Sequence, residues 1–212
     1  LIWPDDNHGR MRGLPDERER QRPGGNGVYH HITFCDNQWV QWIPLDMIRD
    51  EFAQVVASGA TDYALFNVGD IREIPLSIAA AMDVVWDVEP WVQDSDYPQQ
   101  FLLQWCTKHF GGDAAGPASE VYQRFYELER TYRSQPAFTK TWRSVSAAFE
   151  MTERLAIPVF PVCPELVMDD SPLHRTVHRF EELRPEWDEL YARALAAYMK
   201  IPPERRWFFF DN

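Results

Sequence analysis

Cysteine is scarce in this 212-residue chain, and what there is stands far apart: Cys35, Cys106 and Cys163. An odd number with no CxxC spacing argues against a cysteine-built zinc site or a disulfide framework, and reads as buried thiols. Positive charge is scarce too, with 21 Lys and Arg against 33 Asp and Glu and a formal net charge of -12. Such a balance lacks the basic stripe that a nucleic acid or an anionic membrane surface needs, so neither is expected as a partner. No apolar run reaches the length of a transmembrane helix, and no signal peptide is visible. The chain opens on Leu1 inside an apolar run, without Met, and is read as a fragment of a longer protein. Gly24, Gly25 and Gly27 precede an apolar run instead of following one, so they make neither a dinucleotide fingerprint nor a phosphate loop. No GxSxG elbow supports serine catalysis, no set of metal ligands is apparent, and no cofactor is called for. Internal repeats and low-complexity tracts are missing as well.

A real core is available, since 45% of residues are hydrophobic and 14% aromatic. Most of the nine Trp and eight Tyr are expected to fill that core, although aromatics also stack on sugar faces. Three short apolar runs stop at clusters of chemically capable residues. Leu1-Ile2-Trp3 meets Pro4-Asp5-Asp6-Asn7-His8, the second run is Val28-Tyr29-His30-His31-Ile32-Thr33-Phe34, and Tyr63-Ala64-Leu65-Phe66 meets Asn67-Val68-Gly69-Asp70. Strand ends that converge on one rim of a sheet form a pocket there.

Strands are expected at about 1–3, 28–34 and 62–67, with loop between the first two and a short charged helix near Asp16–Arg22. Pro44 opens an amphipathic pattern through Leu45, Ile48, Phe52, Val55 and Val56, with Gly59 where a C-terminal cap would sit. Pro75 opens a second helix through Ile78, Met82 and Val85. Strand alternating with helix is the signature of a parallel sheet. It fits either the last three strands of a barrel whose earlier strands lie upstream, or a small open sheet. From about residue 97 the texture is helical, over Tyr97–Phe110, Ala118–Tyr132, Trp142–Arg154 and His174–Met199. The apolar Trp207–Phe210 is expected to dock on these helices or to continue into a further domain. The fold class is therefore α/β passing into a helical bundle, with residues 1–92 carrying the strand-end loops and 93–212 the helices.

Asp5 and Asp6 are suited to acid–base work if their environments differ, or they and Asn7 simply make a capped turn. His30 and His31 must point to opposite faces of their strand, so they do not form a metal pair. Asn67 and Asp70 bracket a tight turn, and Asp70 equally suits the cap of the next helix. Arg72 with Glu73 is either a surface ion pair or an anion clamp.

The succession WPDDNHGRMRGLP, GGNGVYHH, FNVGDI and MDVVWD, followed by PQQFLLQWCTKHFG, YELERTYRSQP and IPPERRWFFFDN, resembles glycoside hydrolase family 115. These enzymes are α-glucuronidases that take glucuronic acid or its 4-O-methyl ether from xylan side chains. The resemblance implies a central (β/α)8 TIM barrel, a following helical bundle and a terminal β-sandwich, and places this chain at the end of the barrel and in part of the bundle. It implies an inverting mechanism in which one carboxylic acid protonates the leaving oxygen and another carboxylate activates water, about 6.5–9.5 Å apart. Carried over, Asp6 is the foremost catalytic candidate and Asp5 its candidate partner. Asn7, Arg10, His31, Asn67, Asp70 and Arg72 are the expected substrate-binding residues, because an acidic protein needs local donors to hold a uronate. Glu51 matches a helix Glu and reads as structural.

The chain departs from the family pattern in three places. Tyr29-His30-His31 stands for Tyr-Tyr-His, a short Thr33-Phe34-Cys35-Asp36-Asn37 loop stands where an aromatic and Gly-rich stretch is usual, and Arg72-Glu73-Ile74-Pro75 stands where Lys-Pro and then a Glu are usual. The rival reading is thus a non-catalytic or divergent relative that binds acidic sugars. The expected partner is glucuronoxylan or another uronic-acid-bearing oligosaccharide, with a homodimer of the full-length protein among the assemblies open to it. The resemblance also implies an extracytoplasmic or secreted location. The isolated fragment, with half a barrel, is expected to be inactive.

Overall fold

The structure, a computed structural model, describes residues 1–33, 43–69, 71–133 and 172–210. It is a mixed α/β fold, mostly helical, with one small parallel sheet. The strands β1 (Ile2–Pro4), β2 (Gly27–His31) and β3 (Tyr63–Asn67) lie in the order β1-β2-β3. Ile2 stands beside Gly27 and Gly27 beside Tyr63, and His31 beside Asn67 at the far end. β2 ends at His31, earlier than the expected 34, and the charged 16–22 stretch forms only a 3-10 turn at Glu19–Gln21.

Helix α1 (Leu45–Ser58) starts after Pro44 and ends at Gly59, whose φ of 75° is the left-handed conformation a helix C-terminus favours. Its buried residues Leu45, Ile48, Phe52 and Val55 keep the three-to-four spacing read from the sequence. They meet Val28 and Phe66, so α1 covers one face of the sheet. Helix α2 (Pro75–Trp86) buries Leu76, Ala80, Ala81 and Val84. Helix α3 (Val88–Gln93) was not apparent from periodicity, because six residues are too few to show it. Asp87 caps it by accepting from the Glu89 amide at 3.2 Å, and Trp91 anchors it in the core. Helix α4 (Tyr97–Phe110) has the expected bounds. Helix α5 (Gly112–Arg133) starts six residues earlier than expected, with Pro117 inside it.

Helix α6 (Pro172–Lys200) likewise carries an internal proline, Pro185. The expected helix over 142–154 and the proline-rich separator lie outside the described residues. The short α7 (Arg206–Phe210) lays Phe208 against Trp105 and Phe110, and Phe209 against Phe110 and Tyr122, so the C-terminal aromatics dock on α4 and α5 as anticipated. Burial in this cluster pushes the Cys106 thiol up to about 12.

The chain divides into two compact units. The first is Leu1–Tyr126 with Ala194–Asn212, and the second is Glu127–Arg193. One hydrophobic core runs through the first, from Val28 and Ile48 to Trp105, Tyr122 and Ile201. In the second, Leu183 and Leu190 are buried, and Glu189 pairs with Arg193 at 2.5 Å on an exposed face of α6. No helix among the described residues is long and apolar enough to cross a membrane.

The sheet's other face, away from α1, is exposed except toward its C-terminal edge, where His31 is buried. It carries Ile2, Tyr63 and Leu65, which remain 49%, 38% and 52% exposed. A parallel sheet ordinarily has both faces covered.

Candidate active site

β1 leads straight into a tight hairpin. Asp5 pairs with Met11 in an antiparallel bridge, the Asp6 amide donates to the Arg10 carbonyl at 2.8 Å, and the Arg12 amide to the Pro4 carbonyl at 3.3 Å. Asn7 at φ 70° and Gly9 at φ 83° supply the two left-handed residues that so short a reversal requires. Asp6 Oδ1 accepts from the His8 amide at 2.8 Å and the Arg10 amide at 3.1 Å. The capped turn is thus real, and it consumes one oxygen of a half-buried carboxylate.

Asp5 is 1% exposed and faces the neighbouring strand. Its Oδ1 meets His31 Nδ1 at 2.5 Å and accepts from the Asn7 amide at 2.9 Å, while Oδ2 accepts from the His31 amide at 2.7 Å. Both oxygens are therefore spent on orienting His31 and closing the hairpin. With Nδ1–H donating to the carboxylate, the tautomer and the orientation of the His31 ring are set.

The parity of β2 places Tyr29 and His31 on the sheet's open face, with ring centroids 4.7 Å apart. Asn67, beside His31 in the register, donates from Nδ2 to the Tyr29 hydroxyl at 2.8 Å. Thr33 joins the ends of β2 and β3 by accepting the Gly69 amide at 2.5 Å. The structure so brings Asp5, His31 and Asn67 together at the C-terminal edge of the sheet, with Tyr29 between them. Asp6 and Asn7 stand on the adjoining hairpin, and Arg10 is exposed on it. Arg72 is exposed in the turn after β3, and Asp70 lies outside the described residues. No group of three metal-ligating side chains occurs among the described residues.

His30 takes the opposite face, as strand parity requires. It packs between Phe52 and Phe66, and its Nε2–H donates to the Gly9 carbonyl at 3.0 Å. Burial holds its imidazole below the usual histidine value. Glu51 on α1 is 6% exposed and accepts the Met11 amide at 2.8 Å. Burial raises its carboxyl above the usual range, opposed by the Met11 bond and the nearby Arg10 charge. Sequence reasoning passed over Tyr29, although its position two residues before His31 put it on the same face.

A family model described as glycosyl hydrolase family 115 matches residues 1–135. No curated protein matches the chain. Among the matching solved structures is a family GH115 4-O-methyl-α-glucuronidase with specificity for decorated arabinogalactans, at 22% identity and a TM-score of 0.69. The match covers 100% of this chain and 26% of that one, so the chain spans about a quarter of that protein's length. At such identity the likeness speaks for the fold.

Proposed function

The chain belongs to glycosyl hydrolase family 115, and from that membership we propose that the whole protein is a glycosidase removing glucuronic acid or 4-O-methylglucuronic acid side chains from xylan or a related acidic polysaccharide. The observation that carries this reading is the buried Asp5–His31 pair beside Asn67, at the edge of a parallel sheet where such folds gather their chemistry. In this reading the three strands close a (β/α)8 barrel. The open face with Ile2, Tyr63 and Leu65 is the barrel's interior wall, α1 covers the outside, and the later helices form a bundle.

Asp6 is the carboxylate available for acid–base work, because its Oδ2 carries no bond among the described residues and the group is half-exposed. Asp5 fixes the orientation of the His31 ring beside Asn67, and His31 is read as a substrate-positioning residue. Asn67 and Tyr29 form the neighbouring polar wall, and Arg10 and Arg72 supply positive charge to an otherwise acidic protein. An inverting reaction needs a second carboxylate on the opposite face of the sugar. Asp5 is too engaged to serve, so that group comes from elsewhere in the full-length protein, and this chain alone is inactive. A polysaccharide substrate fits an extracytoplasmic or secreted enzyme.

The test is release of glucuronic acid from glucuronoxylan, and from a decorated arabinogalactan, by the full-length protein. Replacing a general acid or base costs about 10²–10⁴-fold, so Asp6→Ala is expected to lose activity on that scale. Equal release by wild type and Asp6→Ala removes Asp6 from the mechanism. The engagement of Asp5 also favours a second reading, a relative that binds acidic sugars without turnover. It predicts saturable binding of aldobiouronic acid with no product.

A further inference from the structure

The Asp5–Met11 hairpin has a floor as well as a rim. From beneath, two buried side chains reach it with opposite hydrogen-bonding polarity. His30 on β2 donates to the Gly9 carbonyl at 3.0 Å, and Glu51 on α1 accepts from the Met11 amide at 2.8 Å. Neither is needed where it sits for packing alone. His30 is 1% exposed between Phe52 and Phe66, in a place that an apolar ring would fill without desolvation cost. Glu51 occupies the same helix face as Ile48, Phe52 and Val55. Burying two polar groups in an apolar layer is costly unless each meets a partner. Both partners here are backbone groups of one seven-residue loop.

The two bonds act at critical points. Gly9 is at φ 83° in the reversal itself, and Met11 is the bridge partner of Asp5. Fixing Gly9 and Met11 therefore fixes the turn between them and Asp5, which carries Asp6 and Asn7. The loop's own bonds hold its shape, but not its height or tilt over the sheet. Contacts from β2 and α1 do that, the Asp5–His31 bonds among them.

We propose that His30 and Glu51 are positioning residues, a two-point tether that sets where the hairpin presents Asp6 and Asn7 at the mouth of the site. The catalytic consequence rests on the function proposed above, whereas the tether itself does not. Misplacing a reacting group by an ångström costs about 10²-fold in rate, so the tether acts on kcat more than on KM.

The test uses the intact protein and two pairs of variants. Glu51→Ala and His30→Phe remove the acceptor and the donor. Glu51→Gln keeps an acceptor oxygen and His30→Gln keeps a donor nitrogen at similar reach. Native-state hydrogen exchange at Gly9–Met11 is the readout independent of activity. Glu51→Ala is expected to speed exchange of the Met11 amide at least ten-fold while the amides of Ile48 and Phe52 stay protected, and Glu51→Gln to restore it. On glucuronoxylan, Glu51→Ala and His30→Phe are expected to lower kcat about 100-fold with KM changed less than three-fold, and the Gln variants to recover most of it. Unchanged exchange at Met11 in Glu51→Ala overturns the tether. Faster exchange in a protein that wild type already shows to be inactive keeps the tether and removes the proposed function instead. Loss in the Gln variants equal to that in Ala and Phe, or loss of protection across α1, overturns the positioning role.

Discussion

Asp5 and His31 are joined at two points: carboxylate Oδ1 to ring Nδ1 at 2.5 Å, and carboxylate Oδ2 to the His31 backbone amide at 2.7 Å. A carboxylate can accept at both oxygens, which a carboxamide cannot. Asp5→Asn turns one oxygen into an amide donor facing another donor, inside a site where both residues are at most 4% exposed. A buried donor without an acceptor costs about 1–3 kcal/mol. Asp5→Asn is therefore expected to destabilise the intact protein by about 2 kcal/mol in urea denaturation. An Asn variant as stable as wild type contradicts the double bond.

Gly27 lies under the ring of Tyr63, which crosses the strand to donate its hydroxyl to the Leu1 carbonyl at 2.7 Å. A Cβ on Gly27 would lie 2.4 Å from the Tyr63 carbonyl oxygen and 2.5 Å from its ring. The ring can swing away but the carbonyl belongs to the β2–β3 pairing and cannot. Gly27→Ala is expected to lose about 2–3 kcal/mol by overpacking. Tyr63→Phe removes one exposed hydrogen bond and is expected to lose about 0.5–1 kcal/mol. Thermal melts of the two variants side by side check the order.

His30 predicts a pH dependence of stability. Burial disfavours its imidazolium, so the folded ring titrates below the ordinary 6.5 despite the attraction of Asp5. As pH falls through about 6.5 the unfolded chain takes up the proton first, and stability declines below that pH. The slope reaches at most about 1.4 kcal/mol per pH unit, and the decline ends where the folded ring itself titrates. His30→Gln cannot take up this proton. Melting wild type and His30→Gln from pH 7.5 to pH 5 is expected to show a steeper fall for wild type, and parallel curves refute the assignment.

Much of the fold was legible because its signals are local. The spacing of Ile48, Phe52 and Val55 between Pro44 and Gly59 fixes α1 within its own segment, and the periodicity of α4 does the same. The site was legible only in outline. Asp5 and Asp6 look alike in sequence, and which of them is buried depends on a His 26 residues later. The tethers are less visible still. Glu51 meets Met11 across 40 residues, and His30 meets Gly9 across 21, so nothing in either neighbourhood marks the pairing. The parity of β2 did separate His30 from His31 correctly, since alternation along a strand needs no tertiary information.

Asp83 shows how a surface-looking motif residue organises packing. It sits on α2, and its Oδ2 accepts from Trp91 Nε1 on α3 at 2.9 Å and from the Tyr97 hydroxyl on α4 at 3.3 Å. Trp91 is fully buried, so its indole N–H has no water to turn to once the carboxylate is gone. Burial and the Asp83 charge together raise the Tyr97 hydroxyl above its ordinary value, which keeps it a donor across the physiological range. Asp83→Ala strands a buried donor and unhooks three helices from one another, and a loss of about 2–3 kcal/mol is expected. Asp83→Asn keeps one acceptor oxygen and is expected to lose less than half as much. Tryptophan fluorescence during urea unfolding, with Trp91→Phe as the reference, separates the cases. If Asp83→Ala adds nothing to Trp91→Phe in the double variant, the carboxylate acts through the indole, whereas additive losses make Tyr97 the partner that matters.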